Sequence, residues 1–336
     1  MKFGPVPVEQ AEGKILGHHI TRPDGSRAFR KGKPLTAADV ALLAQMGRKS
    51  LYVAELEVGD VTENEAAGRI ANAIRGEGLR LSAASTGRVN LYAGLLGLLR
   101  VDVARLGRLN QLEGVTLATL PTNTAVSEGK MVATVKILPY ALPESGLAPA
   151  GAIGPILWLE PLLPRRVGLI LSGGIAARER VIHGFEGALR RRLLALGSPL
   201  ERLDFVPLED EPDESQLAQT IDQQLREGLN LIILAGETAI MDRHDIAPRA
   251  VERAGGQVVC FGAPVDPGNL LMLAYAGKIP ILGAPGCVRS PKENIVDLLL
   301  PRLLVGDRPG KADIITLAHG GLLEDVPERP APRSQL

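Results

Sequence analysis

From residue 165 onward, short apolar runs alternate with segments of helical periodicity, and this alternation limits the folds open to the chain. The first three apolar runs are 167–171, 203–206 and 231–234. Strands that alternate with helices of ten or more residues are typical of a mostly parallel sheet covered by helices on both faces. The sequence therefore predicts a three-layer α/β domain over residues 165–307.

Three loops between residues 231 and 294 follow apolar runs and carry the residue types of a ligand site. Ligands of α/β proteins bind in the crevice outside the carboxyl ends of the strands, where such loops meet. The predicted cofactor-binding residues are Gly236, Glu237, Thr238, Asp266, Pro267, Gly268, Asn269, Gly283, Pro285, Gly286, Arg289 and Ser290.

The first loop contains three carboxylates within nine residues, Glu237, Asp242 and Asp245. Carboxylates so close together favour Mg²⁺ or another hard cation, or hydrogen bonds to a polar ligand. Asp242 and Asp245 form the predicted catalytic and metal-binding pair. For Asp245, capping of the following helix is an equally good interpretation. His244 is interpreted as a solvated loop residue.

The third loop ends in a pattern that is typical of a helix start. Ser290 would be the N-cap, Pro291 the first helical residue, and Glu293 the partner of Ser290 in a capping box. Free backbone N–H groups at such a helix end, together with Arg289, would favour phosphate or another anion. The alternative is an ordinary, well-capped helix without a ligand.

Four other motifs can also be interpreted from the sequence. Residues 266–269 form a turn by composition, and their place after an apolar run favours a ligand contact. Residues 172–174 predict a strand-to-helix turn near the site. Residues 190–192, three consecutive arginines, predict the solvated face of a helix. Lys136 is interpreted as part of a solvated strand face rather than as a site residue.

The N-terminal half has a different pattern from the rest of the chain. Residues 1–145 mix short strand-like and helical segments and predict a smaller α+β region, with room for two small subdomains. Within it, Thr36 and Asp39 have the spacing of a capping box. Residues 146–164 are rich in Pro, Gly and Ala and predict a linker. Residues 308–336 would form a C-terminal extension.

Composition argues against several classes of partner. Lys+Arg and Asp+Glu are balanced at 38 each and aromatic residues make up 3%, so we expect neither nucleic acid nor a membrane surface as partner. No apolar run reaches transmembrane length and the N-terminus lacks an apolar signal segment, so we expect a cytoplasmic protein. Cys260 and Cys287 are interpreted as structural thiols, because two cysteines make no disulfide framework.

Taken together, the three loops resemble those of the molybdopterin-binding domain of molybdenum-cofactor biosynthesis proteins. In that family a strand ends in a Gly-Gly-Thr/Ser loop with acids before a helix, and residues 236–248 fill those places. The family's Pro-Gly loop is similar to residues 265–269, and its Gly-x-Pro-Gly-Asn loop to residues 283–287. Glu237, Asp266 and Cys287 depart from the family's usual Gly, Lys and Asn.

The resemblance implies molybdopterin or the molybdenum cofactor as ligand, with Mg²⁺ as a cation. It places the ligand phosphate near residues 286–290 and gives hydrogen bonds to Thr238 and Asn269. Asp242 and Asp245 would bind Mg²⁺ or orient molybdate. The N-terminal half is similar to the region that precedes such domains in a subgroup fused to a molybdenum-cofactor cytidylyltransferase. Residues 33–52 resemble the small domains of molybdopterin molybdotransferases.

The preferred hypothesis is a protein of cofactor biosynthesis or maturation, acting in molybdate insertion or in hand-over to a cytidylyltransferase. The alternative is a non-catalytic carrier or partner protein of a molybdoenzyme. A third hypothesis is a nucleotide-processing enzyme that shares only the fold. Related proteins assemble as dimers or trimers, so we expect a homo-oligomer.

Overall fold

The computed structural model describes residues 1–208, 214–237 and 240–323. The chain divides into two compact units, Met1–Glu160 and Pro161–Leu336. Among the described residues, no helix is long and apolar enough to cross a membrane.

The first unit consists of short strands and helices. Its helices are α1 (Ala37–Gln45), α2 (Glu63–Ile74), α3 (Val103–Asn110) and α4 (Glu144–Ile153), with a 3₁₀ helix at Val8–Gln10. Its strands are β1 (Lys2–Pro7), β2 (Ile15–Leu16), β3 (Ile20–Thr21), β4 (Arg27–Phe29), β5 (Ser50–Glu55), β6 (Asp60–Thr62), β7 (Leu79–Leu81), β8 (Arg88–Ala93), β9 (Gly97–Val101), β10 (Val115–Thr119), β11 (Thr124–Val126), β12 (Met131–Ile137), β13 (Ala141–Pro143) and β14 (Leu157–Pro161). The larger sheets have the orders β1-β5-β2, β10-β12-β8-β7 and β11-β9-β14.

Two hydrophobic cores lie in the first unit, one formed by residues 8–53 and one by residues 61–159. The predicted capping box is confirmed at the start of α1 in the first of them. The Thr36 hydroxyl accepts the N–H of Asp39 at 3.3 Å, and the Asp39 carboxylate accepts the N–H of Thr36 at 3.0 Å. This reciprocal pairing satisfies two backbone donors that the helix itself leaves free.

The linker predicted over residues 146–164 is not seen, because most of this segment is folded. It contains most of α4 and the whole of β14, which pairs in the β11-β9-β14 sheet. Leu147 and Leu157 are buried in the second core of this unit. Apolar burial therefore outweighs the Pro-, Gly- and Ala-rich composition that favoured a linker, and Pro149 lies inside α4.

The second unit alternates strands and helices through its first half. Its strands are β15 (Val167–Gly173), β16 (Leu200–Pro207), β17 (Leu231–Gly236), β18 (Gln257–Phe261), β19 (Met272–Ala276) and β20 (Ile279–Gly283). Its helices are α5 (Arg178–Ala195), α6 (Ser215–Arg226), α7 (Ile246–Arg253), α8 (Ile295–Leu304) and α9 (Lys311–Ile315), with 3₁₀ helices at Ile175–Ala177, Gly286–Arg289 and Thr316–Ala318.

The six strands form one mixed sheet in the order β16-β15-β17-β20-β19-β18. The pairs among β16, β15, β17 and β20 are parallel, whereas β19 pairs antiparallel with both β20 and β18. The antiparallel edge follows from chain length, because only residues 277–278 separate β19 from β20 and a parallel crossover needs a dozen or more. The α/β prediction is therefore right for the class of fold, and the sheet is mixed.

The central strands are buried along their whole apolar runs. Val167, Leu169, Ile170 and Leu171 are each at most 1% exposed. Ile170 packs in a core with buried residues of α6 and α7. Successive strand side chains point to opposite faces, so Leu169 and Leu171 are buried on the other face.

Candidate functional site

A cavity of about 160 Å³ lies beyond the carboxyl ends of β15 and β17. The chain leaves β15 for β16 on one side and returns to β17 on the other, so the sheet has its topological switch point between these two strands. Open α/β sheets bind ligands at such a point. The floor of the cavity is apolar, and its rim is formed by residues at the ends of β15 and β17 and in the loops after β17 and β20. The floor and rim include Ile170, Leu217, Leu234, Ser172, Gly236 and Asp245.

The structure brings together part of the predicted site. Gly236, Glu237, Asp245, Gly286 and Arg289 line the cavity. The described residues that do not line it are Asp242, Asp266, Pro267, Gly268, Asn269, Gly283, Pro285 and Ser290. Thr238 lies outside the described residues. The first and third loops thus meet at the cavity, and the second does not reach it.

Glu237 joins the loop after β17 to the loop after β15. Its carboxylate accepts the N–H of Gly174 at 3.1 Å and forms an ion pair with Arg180. Its own N–H donates to the carbonyl of Ser172 at 2.8 Å. A side-chain anion therefore occupies donors at the rim, at the position where the resemblance would have a second glycine.

Asp242 and Asp245 hold their own loop in shape. The Asp245 carboxylate accepts the N–H of Met241 at 2.7 Å and that of Asp242 at 3.2 Å. The Asp242 carboxylate accepts the N–H of His244 at 2.7 Å. Asp245 stands at the N-cap of α7 but makes no side-chain capping bond there. Within the residues that the structure describes, no three His, Cys, Asp or Glu side chains form a group that could hold a metal.

The prediction that Ser290 caps the last long helix is wrong. The helix α8 begins at Ile295, and Asn294 is its N-cap. The Asn294 side chain accepts the N–H of Val296 at 3.0 Å, and the Asp297 carboxylate accepts the N–H of Asn294 at 3.0 Å. The Ser290 hydroxyl instead accepts the N–H of Lys292 at 3.2 Å, which makes a local turn.

Arg192 fixes the third loop, although the sequence predicted it to be solvated. Its side chain is only 11% exposed. It donates to the carbonyls of Val288, Ser290 and Lys292 at 2.9, 2.8 and 3.0 Å. Helical spacing could have revealed this, because Arg192 lies three and four residues after the buried Leu189 and Ala188. Three consecutive arginines favour a solvated face, but Arg192 is on the same side of the helix as these buried residues.

Arg289 gives the third loop a cation at the rim of the cavity. Its guanidinium lies 5.4 Å from the centre of the Phe185 ring, and its Nε donates to the carbonyl of Gly286 at 3.0 Å. A guanidinium over an aromatic face is held by cation–π attraction. The side chain is exposed, so its remaining N–H groups can bind an anion.

The second loop packs beside the third. The N–H of Asp266 donates to the carbonyl of Gly321 at 2.8 Å, and the N–H of Ile295 to the carbonyl of Pro267 at 3.2 Å. At Gly268, φ is +142° and a Cβ would lie 2.4 Å from Cγ2 of Ile295, so only glycine fits. Burial raises the pKa of the Cys287 thiol, and the negative charge of Asp266 adds to this.

One protein family matches part of the chain, and several solved structures are similar to it. Residues 5–55 match the family described as Domain of unknown function (DUF8806). No curated protein matches the chain. Among solved structures, one similar chain is the molybdopterin biosynthesis moea protein from Pyrococcus horikosii, at 14% identity over 90% of this chain and 75% of that chain, with a TM-score of 0.30.

Two shorter solved structures are similar to part of the chain. Molybdenum cofactor biosynthesis protein B has 15% identity over 42% of this chain and 92% of its own, with a TM-score of 0.29. The molybdopterin biosynthesis Mog protein from Mycobacterium ulcerans has 17% identity over 41% of this chain and 92% of its own, with a TM-score of 0.26. None of the three TM-scores exceeds 0.30.

Proposed function

We propose that the second unit binds molybdopterin, or a form of it that carries a metal or a nucleotide, at the cavity between the ends of β15 and β17. The observation that carries the proposal is the meeting of the first and third loops at the switch point of the sheet. These loops follow their strands in the order of the family that the sequence resembles. We also propose that helices cover both faces of the sheet of this unit, which would give it three layers.

The cavity suits part of such a ligand. Small-molecule sites typically have volumes of about 300–1,000 Å³, and this cavity has about 160 Å³. The apolar floor of Ile170, Leu217 and Leu234 would take a ring system. The phosphate would lie at the rim beside Gly286 and Arg289, where the charge is positive.

Mg²⁺ fits the described residues less well than the organic ligand does. Asp242 and Asp245 are the predicted ligands, but both carboxylates already accept backbone N–H groups of their own loop. Asp242 is also not in the lining of the cavity. The role of these two carboxylates as metal ligands therefore stays a prediction.

We infer that binding, rather than turnover, is the main task of this cavity. The Glu237 carboxylate already occupies the Gly174 N–H, so an incoming anion meets a negative charge there. The protein would act in molybdenum-cofactor biosynthesis or maturation, in the cytoplasm and as a homo-oligomer. Hand-over of the cofactor to a cytidylyltransferase, and the alternative of a non-catalytic carrier of a client molybdoenzyme, both agree with binding, whereas molybdate insertion would require turnover.

Mass spectrometry of the small molecules released from natively purified protein tests the proposal. We expect a pterin that carries phosphate, and its amount should fall in the Arg289→Ala variant. Arg191→Ala is the matched control, because Arg191 is an exposed arginine of α5 that does not line the cavity. Absence of any pterin, together with no calorimetric affinity for added molybdopterin, would overturn the proposal. Conversion of bound molybdopterin on addition of molybdate and Mg²⁺ would separate an enzyme from a carrier.

A further inference from the structure

The first unit contains an open groove of about 1630 Å³, whose lining joins aromatic rings to a group of charged side chains. We propose that this groove is a second binding site, for an anionic small molecule with a planar ring system. The inference is separate from the function proposed for the second unit, and each can fail without the other.

Aromatic rings form one part of the groove. Phe3, His18 and Tyr140 line it. The ring centres of Phe3 and His18 are 5.8 Å apart, and those of Phe3 and Tyr140 are 6.4 Å apart. Phe3 is 48% exposed, so a flat ligand could still cover much of its surface. The Tyr140 hydroxyl donates to the carbonyl of Gly17 at 2.8 Å, which fixes the ring in place for stacking.

Charged side chains form the adjoining part of the groove. Lys136 is not on a solvated strand face as the sequence predicted, because its side chain is 29% exposed and its ammonium group donates to the carbonyl of Thr86. The ammonium group also lies 3.6 Å from the Glu63 carboxylate. Glu63 and Tyr140 both line the groove, and burial together with the charge of Glu63 raises the pKa of the Tyr140 hydroxyl.

The turn that holds Lys136 is strained. Thr86 has a φ of +50°, which is an outlier for a β-branched residue. Ser85 and Arg88 close the turn with two backbone hydrogen bonds of 3.0 Å each. The side chain of Asn64 also accepts the N–H of Gly87 at 2.8 Å. Such strain persists where the surroundings fix it, and it is concentrated at binding and catalytic sites.

Arg88 supplies a cation for the anionic part of the ligand. It lines the groove and is exposed. Within the described ranges, no side-chain ion pair or hydrogen bond engages its guanidinium. The lining therefore holds both the Arg88 cation and the three rings, and this combination matches a molecule that has a negative group attached to a planar ring system.

Titration calorimetry with adenosine diphosphate tests the site, with adenosine and inorganic pyrophosphate as the two halves of the probe. We expect saturable binding of the diphosphate at one site, at least tenfold tighter than either half, because ring and anion contacts add. Arg88→Ala and Phe3→Ala should each weaken it about tenfold, as expected for one charge-assisted contact or one stacked ring. Arg108→Ala on α3, an exposed arginine outside the groove, should leave the affinity unchanged.

Three results would overturn the proposal. They are no saturable binding of adenosine diphosphate, equal affinity for pyrophosphate alone, or the same affinity in Arg88→Ala and Phe3→Ala as in the native protein. Arg88 is exposed and Phe3 is about half exposed, so these variants should fold, and circular dichroism of each would verify this. A pterin-binding defect in Arg289→Ala would bear on the second unit alone and would leave this result untouched.

Discussion

The guanidinium of Arg192 lies 2.8 Å from the carboxylate of Asp297, so the last turns of α5 are tied to the first turn of α8. Asp297 also accepts the N–H of Asn294 in the capping box of α8. The same arginine donates to three carbonyls of the loop between β20 and α8. One largely buried side chain thereby sets the position of the loop that carries Gly286 and Arg289 to the cavity.

Arg192→Met should lower the free energy of unfolding by about 3 kcal/mol, because it leaves the partly buried Asp297 carboxylate and three carbonyls without their donor. Urea denaturation followed by circular dichroism measures this. Arg191→Met, one residue away and exposed, should change the stability by no more than about 0.5 kcal/mol. Equal stability of the two variants would contradict the role assigned to Arg192.

The strands around the candidate site could be predicted from the sequence, because runs of buried apolar residues define them. Continuous apolar runs such as 167–171 are strands because they are buried on both faces. The sequence alone could not determine where α8 starts. Both Ser290 with Glu293 and Asn294 with Asp297 have the spacing of a capping box. Tertiary packing selects the second pair, because Asn294 is only 1% exposed and Ile295 is fully buried.

The sequence also could not show which loops meet at the cavity, because this depends on how the strands pair in the folded protein. Asp266 and Asn269 follow a strand of the same sheet as Gly236, but β18 lies at the far edge of the sheet from β15. Strand order is set by long-range pairing, so spacing along the chain cannot give it. For the same reason, the groove beside Lys136 had no signal in the sequence, because Phe3, Tyr140 and Thr86 meet only after folding.

Asp242→Ala tests the predicted magnesium role of the first loop. If Asp242 and Asp245 hold Mg²⁺ beside the ligand, the affinity for molybdopterin should rise with Mg²⁺ in the native protein and not in the variant. Calorimetric titration with and without Mg²⁺ measures the difference. The control is Glu252→Ala, an exposed acid of α7 outside the cavity lining. The same response to Mg²⁺ in Asp242→Ala as in the native protein would exclude the role.

The acid stability of the first unit should depend on Asp39. Hydrogen bonds from Lys33 and from the Thr36 N–H lower the pKa of this carboxyl group to about 2. Its pKa in the unfolded chain is about 3.9, so its contribution to stability is complete above about pH 5 and is lost as the pH falls from about 4 to 2.

Asp39→Asn should therefore flatten the fall in unfolding free energy between pH 5 and about 2. Urea denaturation at a series of pH values measures the slope. Glu12→Gln, a change at an exposed acid of the same unit, serves as the control. A slope in Asp39→Asn equal to that of the native protein would show that the Asp39 carboxylate does not produce the acid sensitivity.

Glu237→Gln should raise the affinity of the second unit for its anionic ligand. The Glu237 carboxylate lines the cavity, holds the Gly174 N–H and the Arg180 guanidinium, and repels an incoming phosphate. Removing the negative charge of Glu237 ends its repulsion of the anionic ligand. We therefore expect a Kd for molybdopterin that is about tenfold lower, which corresponds to about 1.4 kcal/mol of binding free energy. The stability should change little, since the Arg180 side chain in this ion pair is 71% exposed.

The gain from Glu237→Gln should also depend on the ionic strength, because it comes from charges near solvent. Titrations at low and high salt should show the largest difference from the native protein at low salt. Glu186→Gln, which removes a partly exposed carboxylate paired with Arg190 on α5, is the matched control and should leave the affinity unchanged. An affinity in Glu237→Gln that stays the same or falls would show that Glu237 supports the ligand and does not compete with it.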